Sequence, residues 1–593
     1  MLTFVHPSHS PFTLSMLIWL PLALSLLVSQ LPARLVGRAL AVLSLITVGI
    51  AVTFVADFNS SFTGLQFVTD KVWISALGIH YALGMNGLNV TLVLLTTVLF
   101  SVSLFWSSFR EVERPKAYYF WFGLAESAVL GAFLAQDLIL FVAFFDLMLI
   151  PFYFLVGSWG TGERVRATIK MVIYTAVGSF LMLAAAIAVG VIAASDHGTT
   201  INFTFSALQH APVSRTDEDW IFLGFTVAFL VKMPIIPFHG WVVDAYKSMP
   251  IAAVAVFSGV VAKVASYGFL QIVLPLFPHA SHHFQLLLLI IALVSILWAT
   301  VMAFTTRDAR LVIAYSSVAQ MGFILLGIFT LKPAGAQGAL LQMLNHGVVT
   351  AASFFVVAAV AARVGGSENL EDMGGVAFKA PLLATFFLIV TFANLAMPGS
   401  SNFIGEFMIL LGAFDSHIAV AVIATLGVVG AAYYGLRLFI GAMHNRVGGR
   451  VKSFEVTRGE AIAIVPLVGI ILVLAFYPQF GLHRSEASAK AAIASAAGTS
   501  GAQYTADLYD GACAAWWSYP PLSSIQYSPD SLGGGCQIAA GQVRVGGRAV
   551  RKPRRIYTYT KPTATKRAAT KGANTKGANT KGANTLVLAA VSP

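Results

Sequence analysis

Six ionisable residues stand inside apolar runs, where a charge in lipid is unfavourable by about 2.5–3.5 kcal/mol on insertion scales. They are Glu126 in FGLAESAVLG, Asp146 in FFDLMLIPFYF, Lys232 in FLVKMPIIPF, Lys263 in GVVAKVASYG, His346 in LQMLNHG and Glu406 in NFIGEFM. Carboxylates, amines and an imidazole all take up and release protons. None of the six is an arginine, whose guanidinium stays protonated and could not pass a proton on. Burial disfavours a charged amine and a neighbouring carboxylate favours it. A change in the Asp146 to Lys232 separation would therefore switch Lys232 between holding and releasing a proton. From Lys232 the route runs through ordered water to Lys263, then to His346, whose side chain is the type that titrates nearest neutrality, and out by Glu406.

The same residues have plainer readings. Asp146 and Lys232 could be a fixed ion pair joining two helices, although buried pairs stabilise little because desolvation offsets attraction. His346 alone reads as an ordinary hydrogen-bonded core histidine, and its functional reading comes from its company.

The elements that position these groups follow from composition. Of 593 residues, 57% are hydrophobic and 10% charged, with a mean hydropathy of +0.79. That is more apolar surface than one soluble core can bury. About 20 apolar residues cross the hydrocarbon as a helix, and about fourteen such runs lie between residues 13 and 482. The expected fold is an all-α polytopic membrane protein. Continuous runs of this length exclude a strand barrel, whose two faces alternate.

Prolines interrupt two of the runs, at Pro234 beside Lys232 and between Pro398 and Asn402 ahead of Glu406. A break at mid-membrane frees backbone polar groups, which is tolerated only against protein or a water-filled cavity. Interrupted spans at matching places predict two inverted five-helix repeats, each with one broken helix. The expected organisation is three helices in 1–112, a first repeat in 113–276, a second in 277–440, a last span in 441–482 and a basic low-complexity tail in 483–593.

The net charge of +12 belongs to that tail. From residue 541 onward there are twelve Lys or Arg and no acid, so the rest is formally neutral and no nucleic-acid partner is implied. The tail repeats TKGAN between residues 570 and 585 and is expected to be disordered. It holds both cysteines, Cys513 and Cys536, for which a disulfide is possible but no framework is recognisable. Basic residues before the tail concentrate in alternate loops, which places both termini outside the cytoplasm. The first run lacks a basic leader and reads as a retained helix. No GxGxxG after a strand, GxxxxGK[ST], CxxC or haem-ligand histidine spacing occurs, so electron carriers are expected elsewhere.

At FFDLMLIPFYFLVGSWG, TIKMVIYTAVGSFLML, KMPIIPFHGWVVDAY, RLVIAYSSVAQMGFILLG, LQMLNHG and MPGSSNFIGEF the chain resembles the antiporter-like, proton-translocating membrane subunits of bacterial NADH:quinone oxidoreductase, respiratory complex I, and among them the subunit M branch. These segments lie between about residues 117 and 440 and are specific when taken together. The resemblance implies one proton channel of a membrane arm in the bacterial inner membrane. It implies other membrane-arm subunits and lipid as partners, with NADH, FMN, iron–sulfur clusters and quinone on partner subunits and no cofactor on this chain. Residue by residue, Glu126 looks like the family's fourth-span glutamate, Lys232 like its seventh-span lysine, Lys263 like its central lysine, His346 like its eleventh-span histidine and Glu406 like its terminal glutamate.

Three positions depart from the family pattern. Asp146 stands where glutamate is usual and reaches about 1.5 Å less. Gln320 and Tyr246 stand where histidines are common. The alternative functions are a subunit of a multi-subunit cation/proton antiporter or of a membrane-bound hydrogenase, or a degenerate scaffold, against which retention of all six charges argues.

Overall fold

The computed structural model describes residues 12–447 and 451–496, together with two dipeptide strands further on. The chain divides into two units, Met1–Ala514 and Ala515–Pro593. In the second, the described residues are Arg544–Val545 and Arg548–Ala549, paired antiparallel. Both cysteines, the TKGAN repeats and most of the expected tail lie outside the described residues.

All fourteen expected segments of the first unit are helical. In chain order they are Leu14–Val28, Ala33–Asp57, Val90–Ser108, Pro115–Leu134, Leu138–Trp159, Arg164–His197 and, seventh, Arg215–Lys232 continued by Gly240–Ser248. The eighth is Ile251–Leu276, followed by Gln285–Thr305, Ala309–Phe329 and Pro333–Arg363. The twelfth is Pro381–Asn394 continued by Ser401–Ser416, and the last two are Ile418–Met443 and Arg458–Phe476. Among the described residues, eleven of the helices are long and apolar enough to cross a membrane, which makes this an integral membrane protein. The sequence supplies the helix starts. Asp137 accepts from the amides of Ile139 and Leu140, both at 3.0 Å, and Asp308 does the same for Arg310 and Leu311. Thr457 and Glu460 form a capping box. Pro115, Pro333 and Pro381 open their helices, where a missing N–H is harmless.

The helices sort into an enclosed column and an outer ring. The eighth span is buried along its entire window (100%) and the eleventh nearly so (94%), whereas the thirteenth buries 39% and turns its Val422, Leu426 and Val429 outward. Four of the six candidate residues lie on the seventh, eighth, eleventh and twelfth spans, close to that column.

Three features differ from the sequence reading. A hairpin of Gln66–Ile74 with Ile79–Met85 sits between the second and third spans, turned by Gly78 at φ 63°. The break in the twelfth span falls at Leu395–Ser400, earlier than the expected Pro398 to Asn402, because Ala396 and Gly399 take positive φ (48° and 90°) on either side of Pro398. The expected tail also starts too early. Helix Gln479–Ala496 runs past residue 483 and buries Ser485, Ser488, Ala489, Ala492 and Ile493 on one side, and Ser488 Oγ accepts from the amide of Gly87 at 3.0 Å.

Candidate functional site

The seventh span ends its first half at Lys232 itself. Pro234 and Pro237 lack the N–H that a continuing helix needs, and the freed groups are satisfied inside the protein. The Val231 carbonyl accepts from Trp241 Nε1 at 3.1 Å, and the Ile236 amide donates to Ser295 Oγ of the ninth span at 3.0 Å. Such repair is what a break at membrane depth requires. It leaves the Lys232 side chain, 3% exposed, at the end of a helix and facing protein.

Lys232 and Asp146 do not close an ion pair. Lys232 Nζ donates to the carbonyl of Phe145 at 3.3 Å and lies 4.5 Å over the Phe145 ring. Asp146, the next residue, is half-buried, and its Oδ1 has no hydrogen-bond partner. The fifth span itself breaks at Met148, between Leu138–Leu147 and Leu149–Trp159, where Pro151 withholds its N–H. The acid thus sits beside an irregular turn, and a fixed pair holding the two helices together is not what the chain builds.

Lys263 is fully buried in the eighth span, between two π-helical turns at Phe257–Val261 and Phe269–Val273. Its Nζ donates to the Ser258 carbonyl, five residues back. The Ser258 hydroxyl in turn meets Ser317 Oγ at 3.0 Å and Thr350 Oγ1 at 3.2 Å, so one serine links the eighth, tenth and eleventh spans. The eighth and eleventh spans come together through glycine: a Cβ on Gly347 would lie 2.8 Å from the carbonyl oxygen of Gly259. That approach puts His346, 1% exposed, within reach of the Lys263 charge. His346 Nδ1 has no hydrogen-bond partner.

Glu406 lies in the second half of the broken twelfth span, 3% exposed. Gln320 Nε2 donates to its Oε1 at 2.6 Å, and Gln342 Nε2 donates to Gln320 Oε1 at 2.7 Å. On the eleventh span near His346 in the chain, and on the twelfth just ahead of Glu406, Gln342 Oε1, Asn345 Oδ1, Ser401 Oγ and both polar atoms of Asn402 are buried without hydrogen-bond partners. Buried polar atoms are normally paired, often with ordered water, so this stretch has the chemistry of a hydrated path. Glu126, 2% exposed, stands apart: its Oε1 has no partner, and no hydrogen bond joins it to the other five.

Sequence reasoning missed two charged clusters. Lys247, at the end of Gly240–Ser248, pairs with Asp308 and, at 2.6 Å, with Glu368, while Arg310 contacts Glu368 at 3.4 Å. Burial works against the Lys247 charge, but hydrogen bonds to Asp308 and Glu368 outweigh it and raise its pKa above the ordinary lysine value. On the other side Lys170 meets Asp244 at 2.7 Å, so the second half of the broken seventh span is tied to the sixth span and to the tenth. The second cluster is Arg363, which holds Glu460 through two bonds of 2.6 and 2.8 Å with both side chains buried. Arg363 reads as a loop charge in the sequence. The one signal was the Thr-x-x-Glu capping pattern that places Glu460 in a first helical turn.

A family model described as NADH:quinone oxidoreductase/Mrp antiporter, transmembrane, matches residues 135–432. The NADH-quinone oxidoreductase subunit M of Rickettsia typhi is 34% identical over 438 residues, 74% of this chain and 87% of that protein. That of Rhodobacter capsulatus is 35% identical over 447 residues, 74% and 86% of the two chains. Among solved structures, a chain of respiratory complex I from Thermus thermophilus superposes with a TM-score of 0.75 at 27% identity, covering 82% of this chain and all of that one. Fold, buried charges and matched length agree, and the chain belongs to the transmembrane family shared by NADH:quinone oxidoreductase and Mrp antiporters.

Proposed function

We propose that this chain is the subunit M of a NADH:quinone oxidoreductase and carries one proton channel of its membrane arm. The observation that carries the reading is Lys232 at the end of a broken helix, donating to the Phe145 carbonyl, with the carboxylate of the next residue, Asp146, near enough to act on its charge but in no ion pair with it. Movement of Asp146 toward Lys232 favours the ammonium, and movement away favours release of its proton. Lys263, the Ser258–Ser317–Thr350 hydroxyls, His346 and the orphaned polar atoms beyond it supply the onward route to Glu406. NADH oxidation and the electron carriers belong to partner subunits, and the coupling reaches this chain as a conformational change. The basic residues of alternate loops orient the chain in the bacterial inner membrane, with Lys247, Asp308 and Glu368 on the cytoplasmic side and both termini outside.

The experiment is affinity purification of the tagged chain from mild detergent, followed by mass spectrometry and NADH-driven acidification of inverted vesicles. Recovery of NADH-oxidising subunits with NADH-dependent acidification supports the reading. Recovery of antiporter or hydrogenase subunits without NADH oxidation overturns it.

A further inference from the structure

We propose that Gln320 and Gln342 are positioning residues that aim the last proton transfer at Glu406, an inference that rests on the proton-channel reading above. Glu406 Oε1 is an acceptor, so the nitrogen of Gln320 must face it, as found at 2.6 Å. That orientation turns the Gln320 oxygen toward Gln342, whose nitrogen meets it at 2.7 Å and reaches Glu406 Oε1 at 3.5 Å. Gln320 is 1% and Gln342 0% exposed. Three spans are thereby joined by a hydrogen-bond chain with one polarity, ending on the carboxylate.

At its other end the chain presents an open acceptor. Gln342 Oε1 is buried with no hydrogen-bond partner and lies over Gly405, where a Cβ would collide with it. Gln342 and His346 are four residues apart on one helix and share a face. A buried amide oxygen without a protein donor is the place where an ordered water donates. Such a water, between Gln342 Oε1 and the unpartnered Nδ1 of His346, accepts the proton as the N–H bond breaks and returns one from its far side to the free oxygen of Glu406. The water is unchanged, His346 becomes neutral and Glu406 becomes a carboxylic acid. The two amides keep Oε1 occupied, so the incoming proton is directed to the other oxygen. Neither amide itself titrates. The other titratable group near Glu406 is Tyr434 of the thirteenth span, which donates to Ser316 Oγ at 2.9 Å and is thereby turned away from this path.

The test uses inverted vesicles holding the whole complex and measures protons moved per NADH oxidised across a pH series, with assembly checked on native gels. Gln342→Leu and Gly405→Ala are expected to lower that ratio and to shift its pH profile, whereas Gln342→Asn, which keeps both an amide nitrogen and an amide oxygen, retains more of it than Gln342→Leu. Wild-type ratio and profile in Gln342→Leu overturn the proposal, as does equal loss in Gln342→Leu and Gln342→Asn, the mark of mere packing. Should Gln342→Leu fail to assemble, Gly405→Ala decides alone, and a wild-type ratio and profile in it overturn the proposal. Glu406→Gln separates the two levels: wild-type pumping in it removes the channel reading itself, while loss in it beside unaffected Gln342→Leu removes only the positioning role.

Discussion

Lys232 Nζ donates to the carbonyl of Phe145 and not to the carboxylate of Asp146, the next residue along the same helix. The amine and the acid act on each other's charge without a hydrogen bond or ion pair between them, so a change in their separation would retune the proton affinity of Lys232. A tight pair would be static.

Asp146→Ala should slow proton movement about tenfold, since loss of a charge coupling of about 1.4 kcal/mol corresponds to one order of magnitude. Asp146→Glu adds one methylene and should keep most activity. Initial rates of NADH-driven acidification compare the two, and equal rates would count against the switch.

The glycine contact between the eighth and eleventh spans sets the Lys263 to His346 spacing. Gly347→Ala places a Cβ 2.8 Å from a backbone oxygen and against the Leu95 side chain. Overpacking of this kind costs about 1–3 kcal/mol. We expect a lower thermal midpoint in detergent together with reduced pumping. A variant that melts and pumps like wild type would show that the spans can separate freely.

The six ionisable residues were legible because lipid makes a charge conspicuous, and the two broken spans because a second proline or a glycine stands near the proline; the single prolines inside Leu14–Val28 and Arg458–Phe476 leave those helices unbroken. What they touch was not legible. The π-helical turns that hand the Ser258 carbonyl to Lys263 have no pattern of their own. Gln320 was legible as a departure from the family's histidine, but the group it bonds, Glu406, was not. The hairpin at Gln66–Met85 escaped notice because its first strand buries little and its second buries a continuous run instead of alternating. Arg363 looked like a loop residue because its partner, Glu460, lies almost a hundred positions away.

That buried pair predicts a strong stability effect. Glu460→Ala leaves the Arg363 guanidinium uncompensated and should cost about 3–5 kcal/mol. Arg363→Met with Glu460→Leu should recover most of it. Thermal melts of the solubilised complex distinguish these outcomes, and a double variant no more stable than the single one would contradict the pairing argument.

The Lys247 clasp has a defined pH window. Its pKa is raised above 10.5 in the folded protein, so its contribution is complete below that value and is lost as pH rises through the higher folded value. The side chain is 41% exposed, and screening limits the effect to about 1 kcal/mol. The difference in melting temperature between wild type and Lys247→Met should be constant from pH 7 to 9 and shrink above about pH 10.5. A difference that persists at still higher pH would assign the effect to packing.

The most direct measurement is the ratio of protons translocated to NADH oxidised in inverted vesicles carrying Lys232→Met. With the complex assembled, the methionine keeps the bulk of the side chain and removes its proton, so the account predicts that translocation through this chain ceases and the ratio falls. A ratio equal to that of wild type would contradict it.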